Sequence, residues 1–217
     1  TQLQVAYSDG PSDQSVMAST VFDKETDLAA GYLFNESSGD LLDVTSNNKD
    51  GTVNGATQGA TGIVDGAYSF DGDNDTVAVS HDSILTPGSE SMTWAFWIKI
   101  NSSASGWDLP IEKETGDRYY IGHEVGSGWN FVITSDGSRT DTTEDKYIAD
   151  VTDEWVFVVA ILDRDSNPET QTLRVYKTDG TYEEASVTPD SGSTDTTGDL
   201  EIGSVDYPVD GLIDNIC

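Results

Sequence analysis

Two turns carry oxygen ligands at close spacing. In "FDGDNDT", Asp71, Asp73 and Asp75 alternate around Asn74, and "DVTSNNKDG" offers Asp43, Asn48 and Asp50. Calcium takes about six to eight oxygens from carboxylates, amide carbonyls and backbone. These residues are therefore the candidate metal ligands, and calcium is the candidate ion. The spacing is not that of a helix–loop–helix calcium site, which ends on a bidentate Glu. Asp and Asn also form turns for conformational reasons alone. A second set is aromatic: Trp107, Tyr119, Tyr120, Trp129 and Tyr147 lie in or beside Gly-rich polar segments. Rings displayed there stack on sugar faces or dock a protein; otherwise they fill a core.

Catalytic sets are scarce by comparison. "IEKE" places Glu112 and Glu114 on one strand face, but nothing nearby completes a pair of opposed carboxylates. His81 and His123 stand away from any Gly-x-Ser-x-Gly nucleophile signature. Cys217, the single cysteine, has no partner with which to form a disulfide. No phosphate-binding loop and no zinc spacing occurs. The chain reads as a binder rather than an enzyme.

Charge narrows the partners. Forty acidic residues, 28 Asp and 12 Glu, face ten Lys and Arg, for a net charge of -30 over 217 residues. Nucleic acid is excluded, because affinity there comes from cationic side chains that release counterions. An anionic membrane surface is excluded on the same ground, and no apolar stretch approaches the length needed to span a bilayer. Such self-repulsion destabilises a compact chain in dilute buffer. At molar salt the Debye length falls to about 3 Å and the repulsion is screened. A halophilic surface is the expectation. A calcium-rich secreted protein is the alternative. Sequons at Asn35, Asn74 and Asn101 add weak support for secretion.

Elements that would position these groups are strands. Residues 1–27 are polar, with one short strand over Leu3–Gly10, and read as an arm or linker. From Leu28 onward, strands and Gly/Asp/Asn turns alternate every 8–12 residues or so. "LAAGYLFN", "GAYSFDG" and "DTVAVS" are expected strands. "SMTWAFWIKI" sends Met92, Trp94, Phe96, Ile98 and Ile100 to one face and Thr93, Ala95, Trp97 and Lys99 to the other. Trp94, Trp97 and Trp155 are expected in the core. "RYYIGHEV" and "WNFVITSDG" form a hairpin through Gly126–Gly128, and "EWVFVVAILD" is a central strand. "QTLRVYKTDGTYEEASV" turns at Asp179-Gly180, a pair favoured in type I′ turns. "GDLEIGS" and "DGLIDNI" close the domain. Helical periodicity is nearly absent, so the fold class is all-β, a two-sheet antiparallel jelly-roll sandwich.

The order of these pieces resembles the laminin-G-like domains of the concanavalin A-like lectin and glucanase group. "LAAGYLFNESSGDLLDVTSNNKDGTVNG" resembles the opening of such domains, and "GIVDGAYSFDGDNDTVAVS" resembles the next element. "SMTWAFWIKI", "DEWVFVVAILD", "LRVYKTDG" and "LEIGS…DGLIDNI" follow in that family's order, covering Leu28 to Ile216. The resemblance implies a domain over 28–217, calcium near the acidic turns, and Asp214 as a further ligand. It also marks departures. The Glu-x-Asp-x-x-Glu strand of related glucanases is missing, and the His usual two residues after the Trp of "DEWVFVV" is Phe157 here. The family continues past the Ile-Asp motif, so the chain is expected to be one module of a longer protein.

The functional expectation is a non-enzymatic extracellular recognition or adhesion module. It would belong to a halophilic surface assembly, an archaeal cell-surface protein or a virion decoration or fibre protein. Its partner would be a glycan or a surface protein. The alternatives are a structural module of a capsid or filament, and a carbohydrate-binding accessory module of a secreted polysaccharide-degrading enzyme.

Overall fold

Alternation in Ser91–Ile100 sets the pattern that the domain repeats. Met92, Trp94, Phe96, Ile98 and Ile100 turn to one side, and the last four are buried. The computed structural model describes residues 28–115, 117–142 and 148–217. The expected strand Leu3–Gly10, the arm 1–27 and Tyr147 lie outside the described residues.

In chain order the strands are β1 (Gly51–Asn54), β2 (Thr57–Thr61), β3 (Gly66–Asp71), β4 (Thr76–Val79), β5 (Met92–Ile100), β6 (Trp107–Thr115) and β7 (Asp117–Glu124). They continue as β8 (Gly128–Ser135), β9 (Ser138–Asp141), β10 (Val156–Asp163), β11 (Thr170–Lys177), β12 (Tyr182–Val187), β13 (Leu200–Ile202) and β14 (Asp210–Ile216). A 3-10 turn, Ser83–Leu85, lies between β4 and β5. Among them no helix is long and apolar enough to cross a membrane.

Two antiparallel sheets of seven strands result. The first runs β1-β4-β13-β6-β7-β8-β9 and the second β12-β11-β10-β5-β14-β3-β2. Late strands insert between early ones: β13 lies between β4 and β6, and β14 between β3 and β5. That return of distant strands makes a jelly roll, and the expected fold class holds. "EWVFVVAILD" supplies β10, a central strand between β5 and β11.

Aromatic contacts between the inner faces hold the layers together. Trp94 on β5 meets Tyr119 at 4.7 Å and Phe131 at 5.4 Å between ring centroids, and Phe96 meets Trp129 at 6.2 Å. Ile98, Val158, Ala160, Leu173 and Val175 from one sheet, with Ile111, Ile121 and Ile133 from the other, complete one contiguous core. Burying each of the Ile, Val and Leu side chains contributes roughly 1.5–3 kcal/mol.

Three local expectations change. "LAAGYLFN" forms no strand: Tyr32 makes isolated bridges to Ile216 and Asp43, and Phe34 takes a left-handed φ of 57° that ends pairing. The hairpin at Asp179-Gly180 is not type I′, which needs positive φ at both central residues. Only Gly180 is positive (86°), and its N–H bonds the Lys177 carbonyl, a type I turn followed by a left-handed glycine. Trp97 and Trp155 are not in the core but partly exposed. Trp97 faces outward and starts a cross-strand row with Phe157, Tyr176 and Tyr182, with successive centroids 5.1, 6.4 and 5.1 Å apart.

Asp214 fastens the turn between β2 and β3. Fully buried, it accepts from the Ile63 and Val64 N–H groups at 3.0 and 2.9 Å. Gly62 and Gly66 make room for this hairpin: a Cβ on Gly62 would sit 2.5 Å from Asp214 Oδ2. Burial pushes the carboxyl up to about 7, against the lowering effect of the N–H donors. The folded chain thus holds this proton more tightly than the unfolded chain. Its stabilising contribution is full below pH about 4 and lost as pH rises through about 7, at ~1.4 kcal/mol per unit. In molar NaCl, the unfolding midpoint should fall between pH 4 and 8, and Asp214→Asn should flatten that fall; an unchanged slope would contradict this assignment.

Candidate functional site

A bulge in β6 creates the site. Pairing of β6 with β7 shifts register between Asp108 and Ile111. Before the shift, Asp108 points inward opposite His123; after it, Ile111 does, leaving Trp107, Leu109 and Glu112 on the outer face. Leu109, Tyr120 and Val132, with Trp107 packed against them, form an apolar cluster separate from the core. Gly122 permits this: a Cβ there would meet Leu109 Cδ2 at 2.5 Å and Trp107 Cε3 at 3.4 Å.

Trp107, Leu109, Arg118, Tyr120 and Tyr207 line an open pocket of about 220 Å³. Tyr120 is the floor. Its hydroxyl accepts from Arg139 Nη2 at 3.2 Å, and the same nitrogen donates to Asp141 Oδ2 at 2.6 Å. The Arg118 guanidinium lies 5.1 Å from the Tyr120 ring centroid, a cation–π contact. Tyr207, 47 % exposed, comes from the loop between β13 and β14. That loop is fixed at both sides of the residue: the Leu109 N–H donates to the Tyr207 carbonyl at 3.0 Å, and the Tyr207 N–H to Ser204 Oγ at 3.2 Å. The backbone that carries Tyr207 is held before any ligand arrives, which limits the ordering cost of binding.

Carboxyls border the pocket. Cross-strand register runs Glu201–Glu112–Tyr120–Val132–Asp141 along one outward row. Burial raises the Glu112 carboxyl above the usual range; Ser204 works against this, and Glu201, Glu114 and Asp206 add to it. Burial likewise raises Glu201, with Asp199, Asp206 and Glu114 adding. Desolvated oxygens of this kind suit hydroxyl donors.

The expected aromatic residues divide by strand parity. Trp107 and Tyr120 line the pocket. Tyr119 and Trp129 are inside the sandwich instead, 1 % and 0 % exposed, with the Tyr119 hydroxyl donating to the Leu85 carbonyl at 2.8 Å. Adjacent Tyr119 and Tyr120 must face opposite ways on a strand, and the core takes Tyr119. Leu109, Arg118 and Tyr207 were not foreseen. Arg118 was legible, two residues before Tyr120 and so on its face; Tyr207, on a loop, gave no periodic signal.

The expected calcium ligands fall into three places. Asp43 and Asp50 share one turn: the Asp43 N–H donates to Asp50 Oδ1 at 2.8 Å, and the buried Asp43 carboxylate accepts from the Gly31, Thr45 and Lys49 N–H groups. Asn48, exposed with a left-handed φ of 52°, donates to the Ser46 carbonyl. Asp71, Asp73 and Asp75 share the β3–β4 turn. There the Asp71 N–H donates to buried Asp75, and the Asp73 N–H to Asp71. Asp214 holds the Ile63–Val64 turn. Among the described residues, no three His, Cys, Asp or Glu side chains gather closely enough to hold a metal ion.

This architecture recurs in solved structures. The binding domain of botulinum neurotoxin serotype D matches with a TM-score of 0.62 at 14% identity, over 92% of this chain and 47% of that one. The chain thus spans about half the length of that toxin domain. Domain 4 of an extracellular arabinanase from Geobacillus stearothermophilus, in complex with arabinotriose, matches at 0.57 and 20% identity, over 87% and 90%. The CBM40 domain of a Ruminococcus gnavus sialidase, bound to sialyllactose, matches at 0.51 and 13%, over 69% and 87%. At these identities the likeness is one of fold. No curated protein matches the chain. The family model described as concanavalin A-like lectin/glucanases superfamily matches residues 71–216, most of the described sandwich, and the chain belongs to that family.

Proposed function

We propose that this chain is a non-enzymatic glycan-binding module working outside a cell or on a particle surface, in a salt-rich setting. The outward pocket carries the reading: Trp107, Tyr120 and Tyr207 rings that the core does not need, set beside an arginine and carboxyls. Flat apolar rings with polar groups at the rim match the two faces of a sugar. The arabinotriose and sialyllactose complexes of similar domains support the same reading. The net charge of -30 supports a saline surface.

A second reading has one observation behind it. The row Trp97, Phe157, Tyr176 and Tyr182 crosses four strands on the outward face of the second sheet and ends on β12, an edge strand of that sheet. A partly exposed aromatic row beside an open edge suits a structural module packed in an assembly.

Binding to a broad glycan panel at molar NaCl tests the first reading. Trp107→Ala and Tyr207→Ala should each weaken binding roughly tenfold or more without moving the unfolding midpoint by more than a few degrees. Trp129→Ala should instead destabilise the fold by roughly 3–5 kcal/mol. Binding untouched by both pocket substitutions, or none on the panel, would sink the proposal.

One grid of NaCl and calcium tests the saline surface and the calcium expectation together. The midpoint should rise steeply with NaCl. Calcium should add little, because Asp43, Asp75 and Asp214 already accept backbone N–H donors. A rescue by micromolar calcium at low salt, lost in Asp73→Ala, would instead place the ion on the β3–β4 turn.

A further inference from the structure

The chain has four arginines. In a sequence with four acidic residues for every basic one, each cation has carboxylates within easy reach. Three arginines use them closely: Arg139 meets Asp141 at 2.6 Å, Arg164 meets Glu169 at 2.8 Å, and Arg174 contacts Glu184. Arg118 differs. Its carboxylate partner among the described residues, Glu114, stands 3.6 Å away, outside hydrogen-bond range, and the two side chains are 37 % and 59 % exposed.

Arg118 is also the arginine that lines the pocket. Its guanidinium lies over the Tyr120 ring, and among the described residues no hydrogen bond takes its N–H donors, which leaves them for a ligand. Tyr120 is itself held through its hydroxyl by Arg139. A guanidinium held over an aromatic ring, with donors that no carboxylate within hydrogen-bond range takes, can receive a carboxylate in two parallel hydrogen bonds.

We propose that the pocket recognises a sugar bearing a carboxylate, a uronic or sialic-type acid, and that Arg118 is the specificity-determining residue that reads the acid group. This inference rests on the glycan reading of the same pocket. The neighbouring row limits the ligand further. Glu112 and Glu201, beside Tyr120 in cross-strand register, disfavour negative charge away from Arg118, so the site suits a ligand with one acid group rather than a densely sulfated chain.

Matched probes test it on the intact chain at molar NaCl: trigalacturonic acid, its methyl ester and galactotriose, and sialyllactose beside its methyl ester and lactose. At least one acid should bind roughly tenfold to hundredfold tighter than its ester and neutral counterpart, the range for a charge-assisted hydrogen bond. Arg118→Gln should erase that preference, bringing acid affinity down to that of the ester and neutral sugar, with the unfolding midpoint in place, and Arg118→Lys should restore part of it. Acid and ester binding alike, with Arg118→Gln silent, would overturn the inference; if Trp107→Ala still abolished that binding, the glycan reading would stand. Absence of binding by all six sugars would overturn the inference, and extension of that silence to the broad panel would overturn the glycan reading too.

Discussion

The packing of Trp94 against Tyr119 and Phe131 is the contact on which the outer surface depends. It draws Tyr119 and Phe131 to the inside of the first sheet. A strand has only two faces, so Arg118, Tyr120 and Val132 must then point outward. The β6 bulge adds Trp107 and Leu109 to the same face, and Gly122 leaves the space they fill. The pocket is thus a by-product of core packing, with rings displayed because the core has filled its own face.

Much of this was legible in the sequence. Alternation in Ser91–Ile100 gave the orientation of β5, and the apolar run Glu154–Asp163 gave a central strand. Trp107 and Tyr120 were named from their polar surroundings. Tyr119 and Trp129 were named on the same grounds, and the core claimed both, because composition does not tell which parity a strand adopts once it meets its partner. The bulge shows the same limit: it lies in the pairing of β6 with β7 and leaves no periodic trace in "WDLPIEKE". Tyr207 was invisible for a related reason, since loop residues reach a site through long-range hydrogen bonds such as that from Leu109.

The acidic turns carry a different lesson. Type and spacing suggest Asp43 and Asp75, and the family resemblance Asp214, as oxygen donors for an ion, and the structure shows each accepting from backbone N–H at a turn. Carboxylates so occupied stabilise local geometry whether or not a metal is near. Those on exposed strands and loops add to the net charge of -30, whose mutual repulsion salt would screen.

The proposed binding surface is the outward face of β6 and β7, and indole N–H resonances report on it directly. Trp107 sits on that face, Trp94 and Trp129 inside, and Trp97 on the opposite sheet. Titration with a bound sugar at molar NaCl should shift the Trp107 indole signal and leave those of Trp94, Trp97, Trp129 and Trp155 in place. A shift confined to Trp97, or one spread equally over all of them, would contradict that assignment.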